Sequence, residues 1–111
     1  MSMIKAVSLI KRKQGLSREE FIRHYEEVHV PLALQHFPFQ RYVRNYIIIP
    51  PGSEEPDFDC ITEVWFGSME DCQAAAEFSA SAAYKVISDD EEKFMDRDKI
   101  VAFLVEEHVT D

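Results

Sequence analysis

The stretch IKAVSLIKRKQGLSREEF, residues 4–21, decides how the chain begins to fold. Residues 4–11 are mostly apolar and partly β-branched, and the run ends before Gly15, so they read as a first strand. Ser17 then offers an N-cap, and Glu20, three residues on, completes a capping box. Leu16 and Phe21 occupy the two staple positions. Phe21, Tyr25 and Val28 recur at helical spacing after it. Pro31 disfavours helical geometry at Val30, so the helix is expected to end or weaken near His29. LALQHF, 32–37, reads as a further turn or a loop.

Working outward, residues 42–49 (YVRNYIII) read as a second strand stopped by Pro50 and Pro51. The polar, proline-rich loop 50–59 leads to a third strand at 60–66 (CITEVWF). Ser68, with Asp71 three residues on, repeats the capping device. A helix through CQAAAEF follows, with a break near Ser79. The stretch after it places Tyr84, Ile87, Glu91 and Phe94 on one side. Residues 100–105 (IVAFLV) form a fourth strand. This order is a split βαβ, ferredoxin-like α+β pattern with an antiparallel sheet, in a single domain spanning 1–111.

Two helices cover one face of a four-stranded sheet, and an uncovered face would alternate with polar residues. YIII, VWF and IVAFLV do not alternate in that way. A second copy of the chain is the expected cover, giving a homodimer whose two facing sheets close an interior, the barrel cavity, as the expected site of chemistry.

The chain has 111 residues and a formal net charge of −9, a balance that repels nucleic acid and anionic lipid as partners. Apolar residues make up 46% of it, too many for a disordered chain, yet no apolar run is long enough to span a membrane. The charges near the N-terminus follow the apolar run instead of preceding it, unlike a signal peptide. Cys60 and Cys72 lack CxxC spacing and read as reduced thiols of a cytoplasmic protein.

Three histidines fall within residues 24–37. His29, at the expected helix end, is placed to hold or protonate a substrate acid or phenolate, the helix terminus favouring an imidazolium. His24, five residues earlier, stands roughly 140° round an α-helix, so the two should not share a face. The spacing is not that of a metal site, and no metal or cofactor fingerprint is present. His36 and His108 read as surface residues. In the third strand Glu63 shares a face with Ile61 and Trp65, opposite Thr62, Val64 and Phe66. Flanked by bulky apolar groups, an unpaired Glu63 is expected to have a raised pKa, which makes it a candidate acid or base; the alternative is a structural, hydrogen-bonded glutamate at a sheet end or dimer seam. Tyr46 is a candidate phenol donor. Tyr25, Trp65, His24 and Asp59 are candidate substrate-binding groups, Asp59 alternatively capping the loop before the strand. Loop 50–59 is a candidate lid. The acidic run Asp89, Asp90, Glu91 and Glu92 has a solvated helix face as its default reading.

KRKQGLSREEFIRHYEEVHVPL, FDCITEVWF and SDDEEKFMDRDKI together resemble the EthD-like family of dimeric α+β barrels. The resemblance implies that His29 is the histidine of the family's H-x-P element and Glu63 its strand acid. It also implies that Asp90, Glu91, Phe94 and Asp96 form its acidic segment. By the same resemblance, the activity expected is cofactor-free proton-transfer chemistry on a small aromatic, polyketide-like or lactone-like compound: decarboxylation, dehydration or isomerisation. A non-catalytic small-molecule-binding accessory protein is the alternative, and a metal-free monooxygenase a third.

Overall fold

The computed structural model describes residues 4–111; the first three residues of the N-terminal segment read above lie outside them. Four strands, β1 (Ile4–Ile10), β2 (Phe39–Tyr46), β3 (Cys60–Phe66) and β4 (Val101–Val105), form one sheet in the order β2-β3-β1-β4. The pairs β1–β3, β1–β4 and β2–β3 are all antiparallel, as the split βαβ reading requires. The helices are α1 (Arg18–His24), α2 (Val30–His36), α3 (Met69–Ser79) and α4 (Lys85–Phe94).

Local chemistry explains the boundaries. The Ser17 hydroxyl accepts from the Glu20 backbone N–H, and the Glu20 carboxylate accepts from the Ser17 N–H, closing the capping box. Ser68 caps α3 in the same way through the Asp71 N–H. Strand β2 lies three residues earlier than its apolar run suggests. Phe39 enters the sheet opposite Phe66, and Ile48 beyond the strand is 81% exposed. The chain leaves the sheet there to reach Pro50, which has no N–H to donate to a ladder.

The first helix does not end at His29. It passes through a π-helical turn, Tyr25–His29, and continues as α2 to His36. The Val30 N–H bonds the Tyr25 carbonyl, five residues back. A proline ring normally clashes with the carbonyl four residues before it, and a wider turn gives the Pro31 ring room. The core joins Ile10, Phe21, Tyr25, Cys60, Phe94 and Met95 between sheet and helices.

Among the described residues the other sheet face carries no helix. Across it Val7 lies beside Glu63 and Phe103, and Lys5 beside Trp65 and Val105. Phe103 is 51% exposed.

Candidate functional site

Between the covered sheet face and the helices lies a cavity of about 150 Å³. Tyr25 and His29 enter it from the π turn, Tyr42 from β2, Thr62 from β3, and Tyr84 and Glu91 from the segment around α4. Aliphatic and phenyl groups, among them Phe37, Ile87 and Met95, supply the rest of the wall. A space of this size holds one benzene ring.

His29 is 4% exposed, and its Nδ1 lies 2.9 Å from Asp90 Oδ2. Asp90 Oδ1 lies 2.9 Å from His24 Nε2. A carboxylate only accepts, so each of these ring nitrogens carries the hydrogen. Among the described residues His29 Nε2 has no hydrogen-bond partner, yet no fully buried side-chain polar atom lacks one. Nε2 is therefore the unpartnered ring nitrogen, on a residue that lines the cavity. The rings of Tyr25 and Phe94 pack on His29 at centroid distances of 5.6 and 4.9 Å.

The phenols form a donor array. Tyr42 donates to the Tyr25 hydroxyl at 3.3 Å, and the Tyr25 and Thr62 hydroxyls share a hydrogen bond at 2.7 Å. Burial pushes the Tyr42 phenol up to about 12 and raises that of Tyr25 well above its ordinary value. Tyr84 donates to Glu91 at 3.0 Å, and burial raises both groups. These phenols stay protonated at neutral pH and are hydrogen-bond donors there.

Of the residues singled out from the sequence, His29 and Tyr25 reach the cavity. Glu63 and Trp65 do not: they project from the opposite face, since Thr62 between Glu63 and Ile61 bonds Tyr25 on the helix side. The Glu63 carboxyl is held below the ordinary range, contrary to expectation, chiefly by the Lys5 ammonium 2.5 Å away and further by Asn45. Trp65 lies between Lys5 and Arg41, each 4.8 Å from its ring centroid. Tyr46 bonds Glu26, and burial and that carboxylate raise its phenol; its ring packs on Phe21 and Tyr25 outside the cavity wall. Asp59 accepts from the Arg12 backbone N–H at 2.8 Å and pairs with Lys11, so it serves the strand end. Loop 50–59 borders an open cleft beside Lys11 and Lys99 instead of closing the cavity.

His24 and His29 meet on one carboxylate although an α-helix would set them apart. The π turn removes the difference, because five residues come close to one full turn there. Asp90, read by default within a solvated run, is 4% exposed. Its signal was its spacing, three residues after Ile87 and four before Phe94, on the buried stripe of α4. Tyr84, three residues before Ile87, carried the same mark; Tyr42 carried none.

The EthD domain model matches residues 13–98. No curated protein matches the chain. Among solved structures, an ethyl tert-butyl ether degradation (EthD) family protein from Bacillus halodurans aligns with a TM-score of 0.69 at 20% identity, covering 96% of this chain and 100% of its own. A protein from Arabidopsis thaliana aligns with a TM-score of 0.64 at 19% identity, covering 97% and 98%. A dimeric protein of unknown function with a ferredoxin-like fold from Bacteroides fragilis aligns at 0.61 and 9% identity, covering 94% and 95%. Those likenesses carry the fold; the match over most of the sequence carries the membership, and the chain belongs to the EthD family.

Proposed function

We propose that the chain is a proton-transfer enzyme acting on a single-ring aromatic or lactone-like compound held in the cavity, with His29 Nε2 as the base. The observation that carries this reading is the unpartnered Nε2 beside a phenol-lined space while Nδ1 is tied to a buried aspartate. Nε2 takes a proton from a carbon next to a carbonyl. The electron pair moves onto the carbonyl oxygen, and the Tyr42 hydroxyl turns from the Tyr25 oxygen, 3.3 Å away, to donate to the developing enolate. The imidazolium then returns its proton to the same or another carbon, which is exchange or isomerisation. A positioned base of this kind contributes about 10²–10⁴-fold. Sequence alone suggested Glu63 as the second group; the cavity phenols take that role here.

The acting unit in this reading is a homodimer in the cytoplasm. The exposed apolar sheet face supports the pairing, and the Bacteroides fragilis relative is described as dimeric. Among the described residues no helix is long and apolar enough to cross a membrane.

The test incubates the protein in D2O with phenylpyruvate, single-ring hydroxybenzoic acids and unsaturated five-membered lactones, and follows deuterium uptake by proton NMR. Uptake that falls about 10²-fold or more in His29→Asn is the expected result. A raised melting temperature with a ring compound but no uptake would instead favour the binding protein. Oxygen consumption would favour the monooxygenase.

A further inference from the structure

We infer that His24 is a positioning residue for the cavity: acting through Asp90, it holds His29 in the tautomer that leaves Nε2 bare. The inference rests on the reading of His29 as the base. One carboxylate serves two rings, each oxygen 2.9 Å from one ring nitrogen. The last torsion of an aspartate is broad, so a carboxylate with a single partner can swing. The His24 N–H pins Oδ1, and that aims Oδ2 at His29 Nδ1. With Asp90 side chain only 5% exposed, water does not replace the missing donor easily. Lys93 Nζ, at 4.0 Å from Oδ1, is the one other cation near the carboxylate among the described residues, and its side chain is 67% exposed. Glu20, Arg23 and Glu27 of the same helical segment border the groove into which His24 opens.

The arrangement exists because of the π turn, a rare winding that recurs at functional sites. Packing gives a competing account, since the His24 ring also lies 4.7 Å from that of Phe94. The two accounts part at the N–H. His24→Gln keeps a donor at about the same reach, and His24→Phe keeps a ring on Phe94 without one.

Long-range proton–nitrogen NMR of labelled protein at pH 8 reads the tautomer directly. Wild type and His24→Gln should show His29 with one protonated nitrogen, Nδ1, and one bare nitrogen, Nε2. His24→Phe should bring the two His29 nitrogen signals together. Deuterium uptake by the most rapidly exchanging probe should fall on the order of 10²-fold in His24→Phe and recover in His24→Gln. Backbone amide spectra check that each variant is folded. An unchanged His29 tautomer in folded His24→Phe overturns the inference. If no probe exchanges even with wild type, the proposed reaction fails while the tautomer still decides the role of His24.

Discussion

Asp89 and Asp90 are neighbours in one acidic run, and burial gives them unrelated work. The Asp89 side chain is 54% exposed and pairs with Lys85 four residues earlier on the helix. Asp90 accepts from two imidazoles inside the protein. An amide in place of Asp90 keeps one acceptor oxygen and loses the other, so one buried N–H faces no acceptor. Asp90→Asn should cost about 1–3 kcal/mol in urea unfolding. Asp89→Asn should stay within about 0.5 kcal/mol of wild type. Glu91 offers a pH test at the same scale. Burial raises its folded pKa above the unfolded value, with Tyr84, His29 and Arg97 opposing that only in part. The folded state therefore holds this proton more tightly. Its stabilising share is present below the unfolded value and is lost as pH rises through the folded one. Glu91→Gln should thus melt at a higher temperature relative to wild type at pH 7 than at pH 4, as read by thermal unfolding at both. His29 and Tyr25 were legible as site residues because a histidine before a proline and an aromatic on a helix's apolar stripe are local signals. Tyr84 carried the stripe signal without its role, and Tyr42 carried no signal, because each meets the cavity only once sheet and helices pack.

At the scale of the element, the π turn is one residue inserted into an otherwise continuous helix, and Pro31 explains why it persists. Glu27 lies within the turn and is exposed. Deleting it restores α winding while α1 and α2 keep their faces. The proline ring then meets a carbonyl four residues back, at a cost of about 3 kcal/mol. Adding Pro31→Ala to the deletion should recover most of that loss, whereas Pro31→Ala alone should change stability little. Urea unfolding of the four proteins forms the cycle, and a deletion that costs the same with or without Pro31 refutes the explanation. The strands and caps were readable beforehand, since alternation, Ser17 with Glu20 and Ser68 with Asp71 act within a few residues. The winding of the helix was not, because a proline shows that something must give without showing whether the helix stops or widens.

For the whole molecule, one sheet face is left uncovered by helices among the described residues. Val7, Val43, Phe103 and Val101 lie on it with the clamped Trp65 and the Lys5–Glu63 pair. Exposed apolar area of this kind marks an interaction surface. If a second copy covers it, Phe103→Asp places a charge in the seam, and sedimentation equilibrium should move from dimer to monomer. The substituted monomer should keep its secondary structure, since Phe103 is half-exposed and outside the core. Its cavity lies on the other side of the sheet, so ring binding should persist.

The amino-acid sequence by itself determined the order of strands and helices, their caps and the alternation of faces along each strand, because those depend on neighbours a few residues apart. It also determined that Glu63 and Trp65 share a face. Which face the helices cover was decided by packing alone, and that placed Glu63 away from the cavity and Thr62 toward it. Packing also brought Asp90 between His24 and His29, since a contact across 61 residues is written in neither segment separately.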